Sequence, residues 1–305
     1  MFRKLLAAVL VLVAAGAGVF WYLTIPPTLS PADMPAHEAD LANGEEMFWA
    51  GGCESCHAAA GATGADALKL GGGQALKTAF GTFRAPNISP DPKDGIGGWS
   101  DLDFVNAMKF GIAPGSVHLY PAFPYTSYQR MPIADLLDLK AFLDTLPPVA
   151  KPSLPHDLPF PLTIRRGIGL WQLLYVDGKT FVPDPAKSAV LDRGAYLVEG
   201  PAHCGECHTP RNWIGGPDRA RAYGGGPAPE GTGKIPNITS DATGLADWSE
   251  DDLVNLLATG FKPNFDSVGG SMTAVVRNTA KLSAADRQAI AAYVLSLPAV
   301  DSEAK

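Results

Sequence analysis

The sequence contains two copies of a Cys-x-x-Cys-His pattern, and together they use every cysteine of the chain. In this pattern two thiols add to the vinyl groups of one porphyrin, and the histidine supplies an axial nitrogen to the iron. A disulfide or thioredoxin-like pair would not require that histidine. A four-cysteine zinc site usually keeps its pairs within roughly 15–20 residues, far less than the separation here. The sequence therefore predicts two covalently bound haem c groups, held by Cys53, Cys56, His57, Cys204, Cys207 and His208.

The N-terminus predicts export from the cytoplasm. Arg3 and Lys4 precede an uncharged run, Leu5–Leu23, and Pro26 follows it. At ~1.5 Å per residue such a run spans about 28 Å, close to the hydrocarbon thickness of a bilayer. The run favours an uncleaved anchor for residues 1–25, with the positive residues in the cytoplasm and the body outside. A signal peptide cleaved at Ala15–Ala17 is the alternative.

Beyond a short tether, the chain repeats itself. Asn87 follows the first attachment histidine by 30 positions and Asn237 follows the second by 29. Each copy then has a serine that predicts a helix N-cap (Ser100 and Ser249), and each closes with an amphipathic helix. The repeat predicts two versions of one helical domain. The predicted segments are the anchor 1–25, the tether 26–36, a first domain 37–150, a linker 151–186 and a second domain 187–300.

The linker is rich in proline, but it contains one candidate helix, Thr163–Tyr175. Its apolar stripe predicts packing across the two domains. Arg165 and Arg166 leave a membrane-surface role as the alternative. The stripe consists of Ile164, Ile168, Trp171 and Tyr175.

Each haem also needs a sixth-position ligand, and methionines supply candidates in both copies. Met272 follows two glycines in the second copy, and Met131 precedes the last helix of the first copy. Met108 is predicted to be a core residue instead. His118 and His203 are alternative ligands, although a loop histidine is more commonly solvated. We therefore predict His57/Met131 and His208/Met272 as the iron ligand pairs.

Methionine ligation raises the reduction potential and fills the sixth position, which favours electron transfer over substrate chemistry. The net charge of −7 gives no basic excess, so nucleic-acid binding is not expected. A dihaem peroxidase is the rival from the enzyme class, because it would need one open haem position. An enzyme that oxidises an inorganic sulfur compound would need a further, activated cysteine. A redox sensor would need a signalling segment. The sequence contains neither.

Several segments resemble the cytochrome c subunits of bacterial membrane-bound alcohol and gluconate dehydrogenases. The resemblance lies in the run from Arg193 to Asn212, the run from His118 to Tyr128, the two Pro-Asn-Ile segments and Gly270-Ser-Met272. It implies an all-α fold with two tandem class I cytochrome c-like domains, here behind an N-terminal transmembrane helix. It also places Met131 and Met272 on the family's distal-ligand positions. Those subunits commonly hold three haems, whereas this chain has two attachment motifs.

The expected protein is thus a membrane-anchored, periplasmic dihaem c-type cytochrome rather than an enzyme. The resemblance implies that it carries single electrons between a dehydrogenase or quinol-oxidising complex and a downstream respiratory acceptor. Its expected location is the inner membrane, with a single span and the body facing the periplasm. Its expected partners are redox proteins, including a terminal oxidase.

Overall fold

Helices form most of the regular structure in residues 1–228 and 233–302, which the computed structural model describes. This confirms the expected mainly helical fold. The helices up to the linker are α1 (Phe2–Leu23), α2 (Leu41–Ala50), α3 (Cys53–His57), α4 (Asp101–Phe110), α5 (Tyr125–Tyr128), α6 (Ile133–Asp144) and α7 (Ile168–Tyr175). Those that follow are α8 (Ala189–Glu199), α9 (Cys204–His208), α10 (Glu250–Thr259), α11 (Met272–Thr279) and α12 (Ala284–Leu295).

Short antiparallel hairpins interrupt the helices. The strands in the described residues are β1 (Ala75–Thr78) with β2 (Gly81–Arg84), β3 (Ile112–Ala113) with β4 (Val117–His118), and β5 (Gly226–Pro227) with β6 (Lys234–Ile235). Single 3-10 turns occur at Pro31–Asp33, Gly64–Leu68, Arg165–Gly167 and Arg219–Arg221.

Two helix pairs form the centres of the two halves: α2 packs on α6, and α8 packs on α12. A glycine lies at each crossing. A Cβ on Gly44 would overlap the carbonyl oxygen of Asp138, and one on Gly194 would overlap that of Ala289. The backbones therefore approach each other more closely than any side chain would permit.

The predicted N-caps of two equivalent helices are confirmed. Ser100 and Ser249 cap α4 and α10, each in a capping box with the aspartate three residues later. Gly111 and Gly260 end the same helices in the left-handed conformation, with φ of 65° and 82°. Ser and Gly therefore satisfy the terminal backbone groups of the equivalent helices in both copies.

The first helix, α1, has no buried residue, and its mean hydropathy reaches 2.3. It is long and apolar enough to cross a membrane, and signal sequences share these properties. The helix ends before Pro26, as the sequence predicts.

The linker helix is shorter than predicted. Regular α-helix begins at Ile168 rather than Thr163, after the 3-10 turn Arg165–Gly167. Ile164 lies outside the helix and is 48% exposed, so it does not belong to a packed stripe. Trp171 does pack as predicted: it is buried, lies edge-on to Tyr125, and donates a 3.1 Å hydrogen bond to the carbonyl of Ile214.

Candidate haem sites

The four cysteines lie on α3 and α9, each a single helical turn of five residues. Both helices follow a residue in the left-handed conformation, Gly52 with φ 57° and His203 with φ 42°. One helical turn places cysteines three positions apart on the same side of the helix. None of them forms a disulfide. This arrangement suits attachment of one porphyrin at each turn.

The two histidines of the motifs have matching hydrogen bonds. His57 Nδ1 lies 2.8 Å from the carbonyl oxygen of Pro86, and His208 Nδ1 lies 2.9 Å from that of Pro236. A carbonyl can only accept, so Nδ1 carries the proton and Nε2 is the nitrogen that would bind iron. Burial lowers the pKa of both rings, against the opposing effect of these hydrogen bonds. The neutral ring that metal binding requires is therefore favoured.

The asparagine after each of these prolines fixes the carbonyl in place. The side chain of Asn87 donates to the carbonyls of Val149 and Lys151 at 2.7 and 2.9 Å. Asn237 donates in the same way to the carbonyl of Val300 at 2.7 Å. Both asparagines are buried. The repeated Pro-Asn pair therefore ties the support of the axial histidine to the segment that follows the last helix of each half.

The environment of the thiols suits thioethers better than a redox-active pair. Burial raises the pKa of Cys53 and Cys204 to about 12, and it also raises that of Cys56. Reactive thiol pairs and thiolate metal ligands instead need a lowered pKa. A thioether carries no charge, so the desolvation that disfavours a thiolate does not oppose it. The donor set therefore fits covalent haem.

Met131 is held firmly between α5 and α6. It is 1% exposed, and its N–H donates to the carbonyl of Tyr128 at 2.9 Å. The ammonium of Lys109 donates to the carbonyls of Gln129 and Met131 at 2.7 and 3.2 Å. Burial lowers the pKa of this lysine to about 8. A buried cation with three oxygen partners, Thr180 Oγ1 being the third, therefore fixes the backbone on both sides of Met131.

Met272 has a different setting. It is the first residue of α11, is partly buried, and follows Gly270 in the left-handed conformation with φ 57°. The left-handed glycine allows the sharp bend that begins the helix. The two methionine segments thus differ in shape. Both assignments as iron ligands stay predictions.

The other ligand candidates have different surroundings. Met108 is buried within the hydrophobic core, in agreement with the core prediction. His118 is 3% exposed, with Nδ1 2.5 Å from Gln172 Oε1 and Nε2 3.1 Å from the carbonyl oxygen of Thr24. His118 therefore connects the end of α1 to α7. His203 directly precedes α9, and its Nε2 lies 3.3 Å from the carbonyl oxygen of Gly51.

The contact of His203 belongs to a larger feature that the sequence did not reveal: the residues just before the two attachment turns meet across the halves. Tyr128 packs edge-on against His203, with ring centroids 5.5 Å apart, and its hydroxyl donates to the carbonyl of Gly51 at 3.3 Å. Gly51 precedes Cys53 by two residues, and His203 adjoins Cys204. The two attachment motifs are therefore neighbours in space although about 150 residues separate them.

Each attachment turn is also hydrogen-bonded by a helix of the other half. Asn278 on α11 donates to Glu54 Oε1 at 3.1 Å and to Ser55 Oγ at 2.8 Å. Thr126 and Ser127 on α5 donate to Glu206 Oε1. The only sequence signal for these contacts was the glutamate within each motif, and a glutamate at such a position does not identify its partner.

Glu206 remains ionised in this largely buried place. Burial acts to raise its pKa, but Arg211 and the hydroxyl of Thr126 outweigh that effect and hold the pKa below its usual range. Arg211 forms an ion pair with this carboxylate, and its side chain also reaches the carbonyl of Glu206 at 2.7 Å. Both carboxylate oxygens of Glu206 therefore have partners, Oε1 with Thr126 and Ser127 and Oε2 with Arg211.

Comparison with known proteins agrees with this geometry. Residues 41–147 match the family model described as cytochrome c. A protein named dihaem cytochrome c-type from Cereibacter sphaeroides is 48% identical over 299 residues, with 98% of this chain and 99% of the relative covered. The class is thus that of c-type cytochromes. Within it, the chain belongs to the family of dihaem c-type cytochromes, and it carries two covalently bound haem c groups.

Other relatives are longer than this chain. The fructose dehydrogenase cytochrome subunit of Gluconobacter japonicus is 36% identical, with 98% of this chain and 60% of that protein covered. The alcohol dehydrogenase (quinone) cytochrome c subunit of Gluconacetobacter polyoxogenes is 35% identical, with 87% and 57% covered. These relatives are cytochrome subunits, and the family to which this chain belongs transfers electrons rather than transforming a substrate.

The assignment of the attachment residues predicts the haem content of variants. The mature protein should carry about two haems per chain, and Cys204→Ala with Cys207→Ala should leave about one. Intact mass and haem absorbance measure this number. The matched variant, Cys53→Ala with Cys56→Ala, should also leave one haem. If either of these double variants kept two covalent haems, the assignment of its two cysteines as haem attachment residues would be wrong.

Proposed function

We propose that this protein is anchored in the inner membrane by α1 and passes single electrons between its two haems on the periplasmic side. Its donor would be a membrane-bound dehydrogenase or a quinol-oxidising complex, and its acceptor a downstream respiratory protein. The observation that carries this proposal is the contact between Gly51 and His203, the residues that lie just before the two attachment turns. Each haem supplies an iron that alternates between the ferric and ferrous states.

The chain's own residues would do three things in this function. The attachment cysteines and axial histidines hold the two haem groups in fixed positions relative to each other. The buried Met131 and the partly buried Met272 would complete the coordination and exclude small molecules from the iron. The network of Tyr128, Glu206 and Asn278 prevents the two attachment turns from separating.

The relatives support a dehydrogenase as the electron donor. The names of the fructose and alcohol dehydrogenase relatives describe cytochrome subunits of such enzymes. A protein of Pseudomonas putida that is named as part of nicotinate dehydrogenase is 38% identical across 91% of this chain, but the match spans only 23% of that relative. The shared cytochrome unit therefore occurs together with several dehydrogenases, and the substrate of the partner would be set by the partner.

Contacts at the end of α1 support an anchor that stays attached. Arg166 donates to the carbonyl of Trp21 at 3.0 Å, and its guanidinium lies 3.5 Å from the centre of the Trp21 ring. Thr24 is fully buried, and its carbonyl accepts from His118. The end of the helix is thus part of the folded body, which favours the anchor over a discarded signal peptide.

An exchange of the N-terminus tests the proposal. Residues 1–19 are replaced by a cleaved signal peptide, so that export and haem attachment continue without the anchor while Trp21 and Thr24 keep their contacts with the body. We expect both haems and their potentials to stay unchanged, while electron delivery to membrane-bound acceptors slows because the local concentration is lost. Oxygen uptake by membranes, with the dehydrogenase substrate as the electron source, measures the rate.

Two outcomes would contradict the proposal. Respiration at the full rate with the anchorless protein would remove the role of α1. Rapid peroxide turnover by a haem that is high-spin in the ferric state would instead support the peroxidase alternative, which requires an open sixth position.

A further inference from the structure

The linker helix α7 has two apolar faces, and only one of them packs on the body. Trp171 and Gln172 are buried on the inner face. Leu170, Leu173 and Leu174 are 40%, 57% and 63% exposed on the outer face. Their i, i+3, i+4 spacing places the three leucines together on one side of the helix. An outward stripe of leucines on a helix whose other side is already packed indicates a second contact surface.

This outer face lies beside the end of α1. Gly169 approaches Thr24 so closely that a Cβ on it would lie 2.9 Å from that side chain. Leu173 and Val176 share a small cleft with Leu23 and Ile25. Through Leu173, the outer face is therefore continuous with the apolar surface of the helix that would cross the membrane. We define residues 158–176 as the linker patch; its other exposed apolar residues are Phe160 and Ile164.

The charge of the linker patch differs from that of the whole chain. The protein has a net charge of −7, but residues 158–176 contain no acidic residue and two arginines, Arg165 and Arg166. Arg165 lies 4.5 Å from the centre of the Tyr120 ring, and Arg166 stacks on Trp21. Apolar side chains flanked by arginine and tryptophan are typical of segments at the membrane interface. Anionic lipid headgroups attract basic residues there.

We propose that the linker patch lies in the boundary between headgroups and acyl chains of the same bilayer that α1 would cross. This inference rests on the membrane anchoring proposed above. A single spanning helix would let the body rotate and swing, whereas a second contact fixes its orientation. The inner face of α7 is hydrogen-bonded to both halves: Gln172 donates to the carbonyl of Phe110 in the first half at 3.0 Å, and Trp171 donates to that of Ile214 in the second half. A fixed orientation of α7 would therefore fix the orientation of both halves.

Lipid photo-crosslinking tests this surface in the full-length holoprotein. The attachment motifs use all native cysteines, so one introduced cysteine can be labelled specifically with a benzophenone maleimide. Leu173→Cys and Leu174→Cys probe the linker patch, and Val11→Cys probes α1. The control is Val190→Cys on α8, a helix that packs mainly on α12; Val190 is 50% exposed. Each labelled protein is reconstituted alone in vesicles of phosphatidylethanolamine and phosphatidylglycerol and irradiated.

Mass spectrometry then counts phospholipid adducts. We expect adducts at positions 173 and 174 at least about tenfold above position 190, and in a yield similar to that at position 11. Adducts at position 11 with none at 173 or 174 would overturn the linker contact and leave the anchor standing. An absence of adducts at position 11 would instead refute the anchoring. Protein crosslinks at position 173 in native membranes, without lipid adducts in vesicles, would assign the patch to a partner protein and overturn the inference.

Discussion

Met272→Ala is expected to convert the haem of the second half from a low-spin to a high-spin or water-ligated form. Thioether sulfur favours ferrous iron, so its loss should also lower the potential of that haem. The decrease should be on the order of 0.1–0.2 V, within the roughly 0.8 V over which axial ligands set haem potentials. Met131→Ala should do the same to the other haem. Optical spectra and a redox titration resolve the two haems separately.

Met108→Ala is the matched control for the methionine variants. Met108 is a buried core methionine of α4 and is not a predicted ligand. Its removal leaves a cavity and should destabilise the fold by about 2–5 kcal/mol, with both haem spectra unchanged. If Met131→Ala or Met272→Ala also left both potentials unchanged, that methionine would not be a ligand.

Much of the fold was predictable because its signals are local. The caps at Ser100 and Ser249 and the turns at Gly111 and Gly260 depend on residues within a few positions of each other. The attachment motifs are local as well. The close helix approach at Gly44 could be anticipated because the second copy repeats the glycine in the same place.

The contact between the two attachment turns could not be predicted in this way. Asn278 and Glu54 are 224 positions apart, and neither residue type specifies a partner at such a distance. The connection that His118 makes between α1 and α7 could not be predicted for the same reason, since it depends on Thr24 and Gln172 from two other segments. A histidine in a loop has the same local sequence whether it binds iron, contacts water or connects two helices.

The linker patch shows a further limit of pattern analysis. The stripe of Ile164, Ile168, Trp171 and Tyr175 predicted one packed face, which Trp171 confirms and the exposed Ile164 contradicts. However, α7 carries apolar residues on both sides, so periodicity alone could not identify the side that faces the body. The contacts of Gln172, a polar residue on the buried side, make that distinction, because its amide caps the carbonyls at the end of α4.

Gly194→Ala is expected to destabilise the second half of the protein, where α8 crosses α12. Gly194→Ala would place a Cβ under 3.0 Å from the carbonyl oxygen of Ala289 and 2.7 Å from the Cβ of Tyr293. A backbone carbonyl cannot rotate away as a side chain can, so α8 and α12 would have to separate. We expect a loss of about 3 kcal/mol or more, at the upper end of overpacking effects. The second half should melt on the order of 10 °C lower.

Thermal unfolding followed by circular dichroism and haem absorbance measures this effect. Gly167→Ala is the control, because a Cβ on Gly167 would meet nothing within 4 Å, and it should change the melting temperature little. Gly44→Ala should destabilise the first half instead, since its Cβ would overlap the carbonyl of Asp138. If Gly194→Ala unfolded like the wild type, the close crossing of α8 and α12 would be wrong. A decrease confined to one half in each variant would show that each glycine secures its own haem unit.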